Sequence, residues 1–312
     1  MAVRDTPRAM LAQAVESILA QTFCDFEFLI LDDGSRDAAT HASLATLKDE
    51  RVRVLWEPHR GLTRTLNRGL ERAEGHYIAR QDADDWSDVD RLARQVAYLE
   101  AHPAMVLCGT DAWAHQSNGR RLWRMRLPTE PQAVRAAMWS RNPFVHGSVM
   151  FRRAEALEAG GYREEFRCSQ DYDFFWRLAE RGGAGVWAAA NLAEPLYHYR
   201  YTGGAISARK AIDQGAGHGA ARYLAEARSR GEGENVADAL ARAGKEFASR
   251  GVLRAELKQA DHRLLAGEYR DAARAYLRLL RTHPSSALAW GKMARWGVFA
   301  AVPAAREWSF TG

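Results

Sequence analysis

Carboxylates make up most of the side chains in this sequence that could do chemistry. Asp32-Asp33-Gly34-Ser35 follows the apolar run FEFLIL at 26–31, and Gln81-Asp82-Ala83-Asp84-Asp85 follows HYIAR at 76–80. Carboxylates crowded at a strand terminus repel one another, so a cation or a hydrogen-bonding ligand is expected to offset the cost. A third acidic element, Ser169-Gln170-Asp171-Tyr172-Asp173, leads into the helical pattern DFFWRLAERG. Each has a plainer alternative. Asp32 to Ser35 uses turn residues and also reads as a turn with a helix N-cap. Asp171 reads equally as a first-turn acid favoured by the helix dipole, and Asp85-Trp86-Ser87 as the start of the following helix. Oxygen-only ligands suit magnesium or manganese, and nothing here offers the thiolates or paired imidazoles of a zinc site.

The elements that must carry these groups follow from periodicity. Residues 8–21 place Met10, Leu11, Ala14, Val15, Ile18 and Leu19 on one helical stripe, and 26–31 is a short apolar run bounded by turn residues. Helix and strand then alternate: helix 36–48, strand 51–56, helix 62–73, strand 76–80, helix 88–101 and strand 105–109. This alternation predicts a mostly parallel sheet with helices on its faces, where ligands bind beyond the carboxyl ends of strands. Both aspartate clusters sit at such ends.

The chain has 312 residues, 47% hydrophobic and 27% charged, a composition that excludes disordered, collagen-like and membrane-spanning classes. Cys24, Cys108 and Cys168 are scattered and fit core or free thiols in a reducing cytoplasm. With no leader and no apolar run long enough to span a bilayer, the expectation is a cytoplasmic protein, peripheral at most at the inner membrane face. Residues 1–207 carry a net charge of −2, whereas 208–312 carry +7. An anionic surface would therefore meet the tail, although a solvated Arg-rich face explains the same charges.

Taken together, the blocks ESILAQTFCDFEFLILDDGSRD (16–37), GLTRTLNRGLERAEGHYIARQDADD (61–85), GSVMFRR (147–153), GGYREEFRCSQDYDFFWRL (160–178) and PLYHYRYTGGAIS (195–207) resemble the inverting nucleotide-sugar glycosyltransferases of family 2. The resemblance implies the GT-A fold, a Rossmann-like α/β domain. It also implies transfer of a sugar, most commonly from a uridine diphosphate donor, to a hydroxyl of a glycan or lipid-linked acceptor in cell-surface polysaccharide synthesis. Asp32 and Asp33 would bind base and ribose. Asp84 would be the direct ligand of a Mg or Mn ion, with Asp82 facing ribose or metal. Asp171 would deprotonate the acceptor hydroxyl, with Asp173 in support. Arg200 could reach the donor diphosphate and His146 the acceptor side, but a histidine between aromatics also fits simple packing. Trp176 fits a sugar-stacking surface or the core. A degenerate, non-catalytic relative that recruits partners through its tail is the competing reading. No nucleic-acid partner is expected.

The family's opening apolar strand is unmatched, since Met1-Ala2-Val3-Arg4-Asp5 fits only the Pro-x-x-Asn-like turn after it. Met1 is accordingly expected to be an internal methionine, preceded in a longer frame by roughly six to eight mostly β-branched residues. The two domains expected are 1–207, the transferase, and 208–312, a helical extension with helices near 210–229, 236–249, 252–266, 268–283 and 286–296. Gly231-Glu232-Gly233-Glu234 would be a hinge. Ala260, Gly267, Tyr269, Ala272, Tyr276, Leu279 and Pro284 resemble a single tetratricopeptide-like unit, which needs neighbours to bury its faces. The closing stretch, with Trp290, Trp296, Phe299 and Trp308 among Lys292, Arg295 and Arg306, suits a membrane interface or core packing equally. The tail's partner would thus be a membrane surface, an assembly protein or the body itself.

Overall fold

The computed structural model describes residues 1–182, 187–202, 211–250 and 252–301, with side chains for all of these except 211–212, 249–250 and 295–301. The Gly-Gly-Ala-Ile-Ser end of the last family block and the residues Arg295, Trp296, Phe299, Arg306 and Trp308 therefore lie outside the described side chains. Two compact units are present. The first comprises Met1–Trp113, Met125–Phe166 and Gln170–Tyr199, and the second Ala114–Arg124, Arg167–Ser169 and Arg200–Gly312.

The first unit begins with β1 (Ala2–Val3), α1 (Arg8–Leu19), β2 (Phe28–Asp33), α2 (Ala38–Ala45) and β3 (Val52–Glu57). The alternation predicted this order. Strands β1, β2 and β3 form a parallel sheet with β2 in the middle. All six β2 residues are buried, which is why FEFLIL reads as a continuous apolar run and not as an alternation. Leu11, Val15 and Ile18 of the α1 stripe close on Val3, Phe28, Ile30, Leu44 and Ala83.

One expectation is corrected here. Ala2 and Val3 are strand, paired with Leu31 and Asp32, and not part of a turn. Leu31 N donates to Met1 O at 2.8 Å, and Val3 is buried, so the ladder and the core together hold this segment beside β2. The turn follows at Asp5, whose carboxylate accepts from Arg36 N and Asp37 N at 2.6 and 2.9 Å. Those backbone donors hold the Asp5 carboxyl below its usual range.

Next come α3 (Leu62–Arg72), β4 (Tyr77–Ala79), β5 (Trp86–Ser87), α4 (Arg91–Ala101), β6 (Leu107–His115), β7 (Arg121–Met125), α5 (Pro131–Met138), a 3-10 turn at His146–Ser148, β8 (Met150–Arg152), α6 (Arg153–Glu158), α7 (Gln170–Ala179) and β9 (Ala189–Arg200). The second sheet has the order β4-β8-β6-β9-β5, with β7 added on β6. Here β4–β8, β6–β8 and β5–β9 are antiparallel, whereas bonds from Val106 N to Ala188 O and from Tyr201 N to His115 O, at the two ends of β6 and β9, run these strands in the same direction. Helix–strand alternation enforces parallel crossovers only while it lasts, and it stops at β6.

Five helices make up most of the second unit: α8 (Ala211–Ser229), α9 (Val236–Arg250), α10 (Val252–Ala266), α11 (Tyr269–Thr282) and α12 (Ala287–Ala301). Gly267, at φ +88°, ends α10 with Glu268 N returning to Arg263 O at 2.9 Å. Leu257, Ala260, Tyr276, Leu279, Leu280 and Ala289 form the core of this helical group, so the positions resembling a tetratricopeptide unit include its packed face.

His262 on α10 is buried edge-on against Tyr201 at 4.9 Å, and its Nε2 has no hydrogen-bond partner. Burial, reinforced by Lys258, pushes its pKa from 6.5 down to about 4. The unfolded chain therefore takes up a proton near pH 6.5 that the folded imidazole refuses. Urea titrations should show stability fully present above pH 6.5, falling as pH drops toward 4 and levelling below it, by up to about 3 kcal/mol from this residue. His262→Phe should flatten that part of the profile; an unchanged slope would contradict the assignment.

Candidate active site

The first acidic pair is held tightly by its own turns. Asp32 accepts from Ser35 N at 3.1 Å and from the Ser35 hydroxyl. Asp33 accepts from Arg60 N at 2.7 Å and Gly61 N at 3.1 Å, with His59 Nδ1 at 2.8 Å. Both carboxylates are buried. Gly34 sits between them and the 59–61 loop at φ +67°, where a Cβ would strike the His59 backbone. Asp32 is the register partner of Trp56 on β3, and Trp56 stacks on His41 at 4.9 Å. These bonds match the turn reading: the two aspartates organise the loops at the carboxyl ends of β2 and β3.

The second cluster is an irregular loop between β4 and β5. Ala2 bridges to Asp82 in parallel, which brings this loop alongside the first sheet. Arg80 Nη2 lies 2.5 Å from Asp82 Oδ1. Burial would raise the Asp82 carboxyl, but Arg80, aided by His146, holds it below its usual range. The Tyr197 hydroxyl donates to Asp85 Oδ2 at 3.0 Å and accepts from Asp82 N at 3.3 Å. Buried Asp85 is therefore committed to β9, and the helix it was expected to begin starts instead at Arg91. Asp84 lies half-buried in the turn between them. Gly147 faces this point because a Cβ there would overlap the Tyr197 hydroxyl.

What fixes the loop is a residue without a sequence signature. Arg91, fully buried, donates to Gln95 Oε1 at 3.0 Å, Gln81 Oε1 at 3.1 Å, Ser87 Oγ at 2.9 Å, Arg80 O at 2.7 Å and Val149 O at 3.3 Å. Gln81 in turn donates to Asp82 O and Asp85 O. These five acceptors of Arg91 are neutral, and burial lowers its pKa to about 10, so it stays charged near pH 7.

Asp171 stands in the first turn of α7 and accepts from Asn142 Nδ2 at 2.8 Å. His146 and Tyr162, whose Nε2 and hydroxyl are 3.1 Å apart, both feel the charges of Asp171 and of Asp82. Burial and then Arg80 lower the His146 pKa, while the charges of Asp171 and Asp82 act the other way, so one imidazole senses both carboxylates. Tyr162 is itself clamped, with Asn67 Oδ1 accepting its N–H and Asn67 Nδ2 donating to its carbonyl, both at 2.8 Å. Asp173 is wholly buried between Arg163 and Arg177 at 3.1 and 2.8 Å, a structural role.

Arg200 belongs to the second unit, where it is buried and donates to Ser117 O at 3.1 Å. This contact ties Arg200 to the β6–β7 hairpin. Trp176 packs against Trp139 and Trp187 and is core. Among the described residues, no group of three His, Cys, Asp or Glu side chains is arranged to hold a metal.

A family model described as glycosyl transferase family 2 matches residues 4–161. The chain belongs to glycosyl transferase family 2. AmsE of Erwinia amylovora, an amylovoran biosynthesis glycosyltransferase, is 31% identical over 206 residues, which are 64% of this chain and 74% of AmsE. EpsE of Bacillus subtilis is 34% identical over 204 residues, 64% of this chain and 71% of EpsE. The family 2 fold is also seen in the mannosyltransferase PcManGT of Pyrobaculum calidifontis, solved with GDP-Man and Mn2+. It aligns at TM-score 0.53 and 16% identity over 96% of this chain and 79% of its own.

Replacing Arg91 with Met keeps an unbranched stem, removes the guanidinium head and strands up to five buried acceptors. The variant should lose at least about 3 kcal/mol of unfolding free energy, since each orphaned acceptor costs about 1–3 kcal/mol. Urea unfolding measures this, and a change under 0.5 kcal/mol would show that the fork does not hold the loop.

Proposed function

We propose that this family 2 glycosyltransferase moves a sugar from a nucleoside diphosphate donor, with uridine the favoured base, to a hydroxyl of a glycan or lipid-linked acceptor, with inversion. The observation that carries the reading is the joint placement of Asp82 and Asp171 around His146 and Tyr162. A single displacement needs a base on one side of the sugar and charge compensation for the departing diphosphate on the other. AmsE supports a place in polysaccharide synthesis, and a lipid-linked acceptor would put the reaction at the cytoplasmic face of a membrane.

In this reading Asp171 takes the acceptor proton. Asn142, bonded to Asp171 Oδ2, fixes the carboxylate so that the other oxygen faces the hydroxyl. Neutral His146 and Tyr162 form a wall that keeps the two acidic centres from sharing a proton. Asp32 and Asp33 serve the donor's base and ribose through the loops they hold. The oxygen donors Asp82 and Asp84 would hold a hard divalent cation beside the donor's diphosphate. Such an ion, Mg2+ or Mn2+, would stabilise the charge growing on the leaving diphosphate.

Two variants separate the roles. Asp171→Asn preserves shape and hydrogen bonding but cannot take a proton, so turnover should fall by roughly 10²–10⁴ with donor affinity little changed. Asp84→Ala should weaken metal-dependent donor binding and turnover together while leaving the urea midpoint near wild type. Equal loss of donor binding in Asp171→Asn, or wild-type metal dependence in Asp84→Ala, would overturn the respective assignment.

A further inference from the structure

Helix α11 carries Arg270, Arg274, Arg278 and Arg281 at intervals of four, four and three residues, with Leu277 among them. Positions spaced in this way share one face, here about 16 Å long. All five side chains are exposed, and Leu277 is 48% exposed. The opposite face, Ala272, Tyr276, Leu279 and Leu280, is buried in the helical core, so the orientation of the arginine face is fixed within its unit. Arg274 meets Asp271 at 3.3 Å, a pair in which both side chains are more than half exposed. Arg270, Arg278 and Arg281 have no ion-pair partner among the described residues. On the next helix, Trp290 and Leu288 are 54% and 47% exposed.

We propose that this face docks on an anionic lipid bilayer. Long arginine side chains with uncommitted heads reach a charged plane while their stems remain over apolar surface. Each contributes an increment of electrostatic attraction that needs no fixed partner geometry. The 208–312 segment, at a net +7, adds a long-range field of the same sign. An exposed leucine inside the stripe, and an exposed tryptophan on the following helix, are residues that favour the lipid interface over a purely aqueous polyanion. The binding is electrostatic and reversible, because the apolar face of α11 is already used inside the protein. This surface is independent of the transfer chemistry proposed above, so its test needs no sugar substrate.

The test is cosedimentation of the full chain with vesicles of phosphatidylcholine, with and without phosphatidylglycerol. Binding should require phosphatidylglycerol and weaken as salt rises. Arg278→Gln/Arg281→Gln should lower the partition coefficient about 25-fold, about fivefold per charge. Lys at both positions should restore most of it. The control pair Arg94→Gln/Arg135→Gln, exposed residues of the first unit, should leave binding within about twofold. Equal binding to pure phosphatidylcholine, an equal loss in the control pair, or full displacement by soluble polyglutamate, which would indicate an acidic polypeptide as the partner, would each overturn the proposal.

Discussion

The site depends on a buried guanidinium that donates to five neutral acceptors. Arg91 reaches two side-chain amides, a hydroxyl and two backbone carbonyls. An ion pair at this point would draw one aspartate of the neighbouring loop inward and neutralise it. Neutral acceptors hold the loop by its backbone and by Gln81 and Ser87, so Arg91 itself takes up none of the loop's carboxylates. Burying a charge this way is costly, and the five bonds offset that cost only if all are made together. The consequence is a loop whose geometry is fixed while its acidic groups keep their chemistry.

The same division between holding and reacting recurs around the cleft. Asp85 is tied to Tyr197, Asp173 to two arginines, and Asp33 to the backbone at 60–61. Asp82 and Asp171 have lighter commitments, one to Arg80 and one to Asn142. Arg80 does for Asp82 what a ligand cation would otherwise have to do alone, lowering the repulsion in a cluster of three carboxylates within four residues. Asn67, reaching from α3 to both backbone atoms of Tyr162, carries this rigidity to the wall between the two acidic centres.

Much of this architecture is legible in the sequence, and the reason differs by element. FEFLIL and the α1 stripe announce themselves through burial periodicity, and the helices of the second unit through Gly and Pro punctuation. Ala2–Val3 escapes because two residues carry no period; only the ladder to β2 reveals them as strand. The antiparallel pairs of the second sheet escape because the partners, such as β4 and β8, lie far apart in the chain. Among the candidate site residues, Asp82 and Asp84 are visible because carboxylates crowd at a strand end, and Asp171 only through the family motif, since an acid in a first helical turn is ordinary. Arg91 is invisible, since an arginine opening a helix reads as solvated surface. Arg200 lies in a motif that suggests a phosphate, and its bond to a carbonyl of the β6–β7 hairpin could not be foreseen from that motif.

The central claim is that a rigid acidic loop and a separate base make this family 2 member a working, cation-dependent transferase and not a degenerate scaffold. Release of nucleoside diphosphate from a panel of uridine and guanosine diphosphate sugars, followed with and without Mn2+ or Mg2+, tests it most directly. The account predicts release from at least one donor that stops when the cation is chelated and resumes when it is restored. Absence of release from every donor by folded protein, or release unaffected by chelation, would contradict it.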